Sequence, residues 1–243
     1  MLSDLHDKEY GKENCRLIEA IDQAAPDLIL IAGDMVTAND RKTDDRVALH
    51  LVRKLAEKYP VYYGMGNHEY RLKIYRYSCD NKYLHYEQGL REAGVHLLQN
   101  TTAVLKEYGI EICGLEMARA FYKRWKHTEM PEQYLNEVLG EAKGEDFHLL
   151  IAHNPDYMKR YAEWGADLVL SGHVHGGVVR IPGLGGLISP MMHLFPYYDG
   201  GLYEEGKCRM ILGRGLGMHT IPLRLFNPGE LVVITLDPEE KSV

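Results

Sequence analysis

The feature that most constrains the fold of this chain is a series of short apolar runs, each followed by a polar cluster. The runs cover residues 28–32, 61–65, 149–152 and 168–171, and the residues that follow them include Asp34, Asn67, His153 and His173. Continuous apolar runs of this length are typical of buried parallel strands. Because ligands bind at the carboxyl ends of such strands, we predict that these clusters converge along one edge of an α/β sheet.

The rest of the pattern fits a layered α/β fold. Helical spacing of apolar residues predicts helices over 12–25, 44–59 and about 86–93, and two short strands are predicted over 103–106 and 110–114. The segment 117–146 is polar, aromatic and partly helical. From residue 178 the chain is glycine-rich, with strand-like stretches at 178–181, 210–213 and 230–236. We expect this part to form a second sheet that completes a two-sheet core.

Size and charge narrow the class of protein. With 243 residues, the whole chain from 1 to 243 can form a single domain with a sizeable core. The formal charge of −7 argues against non-specific nucleic-acid binding and against a polybasic membrane patch. The four cysteines form no C-x-x-C pair, so we expect reduced thiols. No apolar run approaches the ~18 residues that could span a bilayer.

The first residues of the chain suggest that a β-strand is incomplete. Asp4 lies so close to the first residue that the strand expected before it is almost missing. We expect that this first strand is truncated and that the natural protein begins earlier, with a membrane anchor as one possible content of the lost segment. The predicted localisation is therefore cytoplasmic or membrane-associated.

Seven residues in these clusters are candidate metal ligands: Asp4, His6, Asp34, Asn67, His153, His173 and His175. Residues two apart on a strand point to the same side, which favours the pairs Asp4/His6 and His173/His175. A carboxylate after the sharp Gly33 can bridge two ions, so Asp34 counts twice and each ion receives about four ligands. Such a nitrogen and oxygen set fits manganese, iron, zinc, nickel or cobalt.

The order D-x-H, GD, GNHE, H and G-H-x-H, from Asp4 to His175, resembles the calcineurin-like metallophosphoesterase superfamily. The resemblance implies two packed mixed β-sheets flanked by helices, in four layers, with a dinuclear centre at the strand ends. It also implies two ligand sets, one made of Asp4, His6, Asp34 and His175, the other of Asp34, Asn67, His153 and His173.

The same resemblance assigns the catalytic roles. His68 matches the residue that protonates or stabilises the leaving oxygen, and Glu69 is expected to orient it. Glu69 stands where the family usually has aspartate. Asp34 would act both as a ligand and in catalysis.

We therefore predict a hydrolase that uses two divalent transition-metal ions, most simply a phosphodiesterase that cleaves a phosphodiester or pyrophosphate bond with a metal-bound hydroxide. A phosphomonoesterase acting on proteins or nucleotides is the alternative within enzymes. A non-catalytic scaffold of the same fold is the alternative of another class. The sequence contains neither a P-loop nor a G-x-S-x-G motif.

The substrate is indicated only by weaker features. The stretches 175–177, 213–217 and 221–230 resemble a subgroup around bacterial lipid-headgroup phosphodiesterases, some of which cleave UDP-diacylglucosamine, and this implies a lipid or envelope headgroup as substrate. Arg214 either contacts that substrate or belongs to the second sheet and its turns. Tyr70 and Arg71 begin a basic, tyrosine-rich stretch that forms either a rim over the site or an ordinary connector. Residues 119–127 are a further candidate for a substrate-side cap.

Overall fold

The structure is a computed structural model that describes residues 1–38, 43–75, 81–123, 128–177, 179–181, 185–188, 194–218 and 224–237. The helices are α1 (Cys15–Ala24), α2 (Arg46–Ala56), α3 (Asn67–Ile74), α4 (Lys82–Glu92), α5 (Tyr134–Leu139) and α6 (Met158–Trp164). The strands are β1 (Ile29–Ala32), β2 (Val61–Gly64), β3 (His96–Leu98), β4 (Thr101–Leu105), β5 (Ile110–Leu115), β6 (Phe147–Ala152), β7 (Leu168–Ser171), β8 (Val179–Ile181), β9 (Gly185–Ile188), β10 (Gly201–Glu205) and β11 (Cys208–Leu212). Short 3-10 turns cover Lys12–Asn14, Arg119–Tyr122 and Pro155–Tyr157.

The strands form two main sheets. The first has three parallel strands in the order β1-β2-β3, and the second has six in the order β10-β11-β7-β6-β5-β4. The inner strands of the second sheet are parallel, and β4 and β10 are antiparallel at its two edges. The hairpin β8-β9 stands apart as a two-stranded sheet. The predicted mixed-sheet α/β fold is confirmed.

Alternation along the strands explains how the layers pack. In β1, Leu30 faces the core shared by the two sheets, while Ile31 faces the cluster formed with α1, α2 and α4. In β6, Ile151 faces the shared core and Leu150 faces the cluster that includes α5 and α6. Because residues alternate between the faces of a strand, fully apolar strands bury both faces. The result is a helix, sheet, sheet, helix arrangement that fits the predicted four layers.

Close contact between the sheets requires glycine at one position in each. A Cβ atom on Gly64 of β2 would collide with the Ile151 side chain of β6, and one on Gly114 of β5 would collide with Leu98 of β3. The absence of these side chains lets the two sheets approach where their carboxyl ends meet.

Several sequence-based expectations differ from the structure. The four apolar runs end at two sheets rather than at one edge of a single sheet, since β1 and β2 belong to the first and β6 and β7 to the second. The second sheet is built mainly from the middle of the chain, and only β10 and β11 come from its glycine-rich end. The stretch 230–236 is not a regular strand, although Val232 exchanges backbone hydrogen bonds with Met1. The helices α3 and α6 and the strands β3, β9 and β10 were not predicted.

Other expectations concern the ends and edges of the described chain. At the first residues, Leu2 forms a single parallel bridge with Ile31 instead of a strand. The single domain over 1–243 and the truncated first strand stay predictions. The basic run at 119–127 lies partly outside the described residues, as does the tyrosine-rich stretch at 70–86. Among the described residues, no helix is both long enough and apolar enough to cross a membrane.

Candidate metal centre

The candidate ligands come together where β1, β2, β6 and β7 end. Asp34 follows β1, and His153 follows β6, yet His153 Nε2 lies 3.0 Å from Asp34 Oδ2. His153 Nε2 is also 3.7 Å from Asp4 Oδ1, and His175 Nε2 is 3.4 Å from the same Asp4 oxygen. The two sheets therefore contribute to one cluster of carboxylates and imidazoles.

The side chains fall into groups whose possible ligand atoms lie close to one another. The ligand atoms of Asp4, His6 and His175 all lie within 4.8 Å of one another, and so do those of Asp34, His153 and His173. His6 joins the two groups, because its Nε2 is 3.2 Å from His175 Nε2 and 3.9 Å from Asp34 Oδ2. A third group within the same distance contains His6, Asp34 and His68.

Unsatisfied buried atoms support a fit between this cluster and divalent cations. Four buried polar atoms of the candidate ligands lack a hydrogen-bond partner among the described residues: Asp4 Oδ2, Asn67 Oδ1, His173 Nε2 and His175 Nδ1. Burying a polar atom without a partner is costly. Carboxylate, carboxamide and imidazole atoms together are the donor set of a mixed nitrogen and oxygen metal site.

Backbone conformation, rather than strand alternation, aims these side chains. Five of the candidate ligands have left-handed backbones: Asp4 (φ 50°), His6 (φ 46°), Asp34 (φ 54°), His173 (φ 74°) and His175 (φ 53°). None of these residues lies in a strand. The expectation that Asp4/His6 and His173/His175 share a strand face was therefore wrong in its geometry, although both pairs reach the cluster. Left-handed conformations of non-glycine residues are uncommon and concentrate at functional sites.

The charges within the cluster shift the pKa values of its members. Burial disfavours charge on His153, but the carboxylates of Asp34 and Asp4 outweigh it and raise the pKa of His153 to about 10. Burial would raise the pKa of Asp34, yet His153 and His68 hold it well below its usual range. Burial and the neighbouring His153 lower the pKa of His173 to about 3. Neutral His173 is therefore ready to bind a cation through a ring nitrogen.

Glu69 connects the loop that carries Asp34 with the turn that precedes Asn67. Its carboxylate accepts hydrogen bonds from the backbone N–H groups of Asp34 (2.9 Å), Met35 (2.8 Å) and Gly66 (3.1 Å), and from the Tyr63 hydroxyl (2.7 Å). The bond to Gly66 is the capping-box contact that starts α3. Burial and the nearby Asp34 raise the pKa of Glu69 to about 7. Glu69 thus fixes the loop carrying Asp34 against the turn carrying Asn67.

A backbone N–H group contacts the His68 ring, and the orientation of this ring by Glu69 stays a prediction. His68 Nδ1 accepts a hydrogen bond from the Ala38 backbone N–H at 2.8 Å, whereas the hydrogen bonds of Glu69 go to the four donors just described. Its own backbone N–H donates to Asp34 Oδ1 at 2.7 Å. Because Nδ1 is an acceptor, neutral His68 carries its proton on Nε2. The His68 ring lies edge-on to the His6 ring, with centroids 4.8 Å apart, which places it beside the cluster.

The predicted substrate residues separate into two locations. Tyr70 and Arg71 line a cleft of about 460 Å³ that starts at Asn67, and the same cleft is lined by Ile74, Tyr75, Arg119 and Tyr122. Arg214 instead pairs with Glu230, at 2.6 Å and 2.9 Å between guanidinium nitrogens and one carboxylate oxygen. This contact favours the structural alternative for Arg214, and its contact with substrate stays a prediction.

Sequence reasoning missed the residues that support the His175 loop. The guanidinium nitrogens of Arg224 lie within hydrogen-bond distance of six backbone carbonyls: His175, Arg214, Gly215, Gly217, Asn227 and Pro228. The Nη2 atom shares its two hydrogens among three of them. Asn227 Nδ2 donates to the carbonyls of His175 and Gly177, each at 2.7 Å. In the sequence, the stretch 221–230 stands out only through its resemblance to a family subgroup. The signal that could have found them is an arginine and an asparagine, both able to donate to backbone carbonyls, close together in a loop after the ligand motif.

The glycine-rich stretch 213–217 supports Asp4. Leu216 N–H donates to the Ser3 carbonyl at 3.0 Å, and Gly217 N–H donates to the Asp4 carbonyl at 2.6 Å. A Cβ atom on Gly215 would lie 2.7 Å from the Asp4 Cβ, and Gly215 has φ +71°. Glycine is thus required here for close approach and for a left-handed turn.

With this geometry in view, the family of the chain is clear. The family model described as "Calcineurin-like phosphoesterase" matches residues 1–177, which include every candidate ligand. The chain belongs to the calcineurin-like phosphoesterase family, and it is a phosphoester hydrolase.

Its relatives carry names that agree with this class. The chain is 27% identical over 243 residues to an uncharacterized metallophosphoesterase of Bacillus subtilis, YkuE, covering 96% of this chain and 77% of that protein. It is 30% identical over 216 residues to an uncharacterized metallophosphoesterase of Aquifex aeolicus, covering 87% and 73%. The phosphodiesterase YaeI of Escherichia coli is 27% identical over 192 residues, which are 79% of this chain and 64% of that protein.

Proposed function

We propose that this protein is a phosphodiesterase that works with two divalent transition-metal ions. The observation that carries the proposal is the set of buried, unsatisfied ligand atoms shared between two groups around Asp34. One ion would be held by Asp4, His6, Asp34 and His175, and the other by Asp34, Asn67, His153 and His173. The relative YaeI, named a phosphodiesterase, supports the diester specificity.

Different residues of this chain have different roles in the proposed hydrolysis. Bound divalent ions would neutralise the phosphate oxygens and lower the pKa of the attacking water. Asp34 Oδ2 lies 3.0 Å from His153 Nε2 within its own group and 3.9 Å from His6 Nε2 of the other group, which suits it to serve both ions. His68 presents a proton on Nε2, which can be given to the oxygen that leaves phosphorus, while the Ala38 N–H fixes the ring. Glu69 and Tyr63 keep the Asp34 loop in place.

The first test is the metal content of protein purified without chelator, measured by plasma mass spectrometry together with bis-p-nitrophenyl phosphate hydrolysis. We expect about two equivalents of transition metal and turnover that depends on it. Protein that takes up no metal and shows no turnover after manganese addition would support the scaffold alternative instead. A clear preference for p-nitrophenyl phosphate over the diester would support the phosphomonoesterase alternative.

Two variants separate metal binding from proton donation. Asp34→Asn should abolish turnover and weaken metal binding, because the bridging carboxylate becomes a neutral amide. His68→Ala should lower kcat by roughly 10²–10⁴-fold, the usual contribution of a general acid, and spare the metal content. Full activity in Asp34→Asn would refute the dinuclear arrangement.

A further inference from the structure

The cleft that starts at Asn67 has a chemical character of its own. We call it the arginine–tyrosine cleft and define it by Tyr70, Arg71, Ile74, Tyr75, Arg119 and Tyr122. The chain as a whole has a formal charge of −7, yet the described residues that line this cleft include two arginines and no carboxylate. A cationic surface in an acidic protein is matched to an anionic ligand.

Secondary structure explains why these side chains share one cleft. Asn67, Tyr70, Arg71 and Ile74 are spaced as i, i+3, i+4 and i+7 along α3, so they occupy one face of that helix. Arg119 and Tyr122 are three apart in a 3-10 turn, where such residues lie above one another. The two elements therefore form facing walls, joined by a contact between the Arg119 guanidinium and the Tyr75 hydroxyl.

The cleft is continuous with the metal cluster at two points. Asn67, a candidate ligand, lines the cleft, and the Tyr122 ring contacts the His173 ring with centroids 5.2 Å apart. The Tyr122 hydroxyl is buried and has no hydrogen-bond partner among the described residues. Along the axis of an α-helix, the Cα atom of Arg71 lies about 6 Å beyond the Cα atom of Asn67, because each residue advances ~1.5 Å. A group bound beside Arg71 is therefore close to a phosphorus atom bound at the cluster, but separate from it.

We propose that the arginine–tyrosine cleft binds a second anionic group of the substrate, so that the natural substrate is a phosphodiester with an additional phosphate or carboxylate in one ester arm. The guanidinium groups of Arg71 and Arg119 make charge-assisted hydrogen bonds with that anion. The Tyr122 hydroxyl donates to the same arm, and the Tyr70 and Tyr75 rings pack against its apolar part. This inference rests on the phosphodiesterase activity proposed above.

The experiment compares two substrates that differ only in the second anion. They are thymidine 5′-(p-nitrophenyl phosphate) and its 3′-phosphorylated derivative, which share the leaving group and the scissile ester. We expect the wild-type protein to have a kcat/KM roughly tenfold or more higher for the 3′-phosphorylated ester, the effect of one hydrogen bond to a charged group. Titration with thymidine 3′,5′-bisphosphate and with thymidine 5′-phosphate should show the same order of affinity.

Variants assign the preference to the cleft. In Arg71→Ala and in Arg119→Ala the ratio of the two kcat/KM values should fall towards one, and Arg71→Lys should retain part of it. The ratio is measured within each variant, so a general loss of activity does not affect it. The control is Arg91→Ala, which removes the same charge from α4, where Arg91 pairs with Glu87, and should keep the wild-type ratio.

The outcomes distinguish this inference from the function on which it rests. Equal kcat/KM values for the two esters in the wild-type protein, with intact bis-p-nitrophenyl phosphate hydrolysis, would overturn the cleft assignment alone. A preference that survives both arginine-to-alanine substitutions would also overturn it. Absence of metal-dependent hydrolysis of every diester would overturn the phosphodiesterase proposal and the inference with it.

Discussion

At residue scale, the glutamate side chain at position 69 is long enough to reach the backbone of two loops. Glu69 spans from the backbone of Asp34 and Met35 to that of Gly66, and it is fully buried. The carboxylate accepts four hydrogen bonds, which are the contacts a buried charge needs to remain stable. The glutamate that departs from the usual family pattern is thus fully used in this chain, as a clamp between two ligand loops.

We predict that Glu69→Gln destabilises the fold. The amide keeps one acceptor oxygen, but its NH₂ group must face at least one backbone N–H that now lacks an acceptor. Leaving one buried donor unsatisfied lowers the free energy of unfolding by about 1–3 kcal/mol. Urea unfolding measures the change.

The control for this prediction is Glu57→Gln. Glu57 is an exposed residue that pairs with Lys54, so its substitution should change the free energy of unfolding by less than about 0.5 kcal/mol. Equal stability of the two variants would show that the Glu69 contacts contribute nothing.

At the scale of elements, the sequence predicts the four strands that precede candidate ligands well and the ligand loops poorly. The runs before Asp34, Asn67, His153 and His173 became β1, β2, β6 and β7, because mainly apolar runs of this length are typical of parallel strands buried on both faces. The left-handed backbones that aim the ligands depend on contacts far along the chain, such as those between residues 3–4 and 216–217. No local pattern encodes such contacts. The candidate ligands were therefore predictable as residues, but their geometry was not.

The loop after β11 acts as a brace for the His175 loop. Arg224 and Asn227 both donate to the His175 carbonyl, at 3.4 Å and 2.7 Å, and Arg224 also donates to Gly215 and Gly217. Burial lowers the pKa of Arg224, partly offset by Tyr10 and Asp4. Groups that support a metal ligand through hydrogen bonds, without touching the metal, commonly change the affinity for the metal.

We predict that Asn227→Asp weakens metal binding. The substitution keeps the shape of the side chain, but it replaces the Nδ2 donor with a carboxylate oxygen that faces two carbonyl oxygens. Displacement of the His175 loop should lower the affinity for the cation by about 10–100-fold, the usual effect of losing a supporting contact. Calorimetric titration of metal-free protein with manganese measures it.

A matched control separates this effect from the change in charge. Asn136→Asp makes the same substitution on α5, where the amide donates to Gln133 at the surface, and it should leave the affinity unchanged. If Asn227→Asp binds manganese as tightly as the control, the brace has no influence on the metal centre.

At the scale of the whole molecule, the metal cluster is a junction between the two sheets. Asp34 and Asn67 come from the first sheet, and His153 and His173 come from the second. His153 Nδ1 donates to the Ala32 carbonyl at 2.5 Å, a direct bond between the end of β6 and the end of β1. A cation held by ligands from both sheets therefore links them, in addition to the apolar core that they share.

Removal of metal should consequently lower the stability of the whole protein. A ligand that binds only the folded state stabilises it by about 2.7–4 kcal/mol at concentrations of 100–1,000 times Kd. In a chain of this length, each kcal/mol changes Tm by roughly 2–4 °C, so chelation should lower Tm by roughly 5–15 °C. Thermal melting followed by circular dichroism, with EDTA and then with excess manganese, measures the shift.

The Asp34→Asn variant shows whether the shift comes from this centre. Asp34 belongs to two of the three groups of ligand atoms, so its neutral substitute should leave little metal-dependent stabilisation, and the variant should melt at nearly the same temperature with EDTA and with manganese. Because His153 connects the sheets through Ala32 without any cation, the variant should still unfold in one transition. A wild-type protein whose Tm is unaffected by chelation would refute the view that the cation links the sheets, since the ligands of both sheets would then hold their places without it.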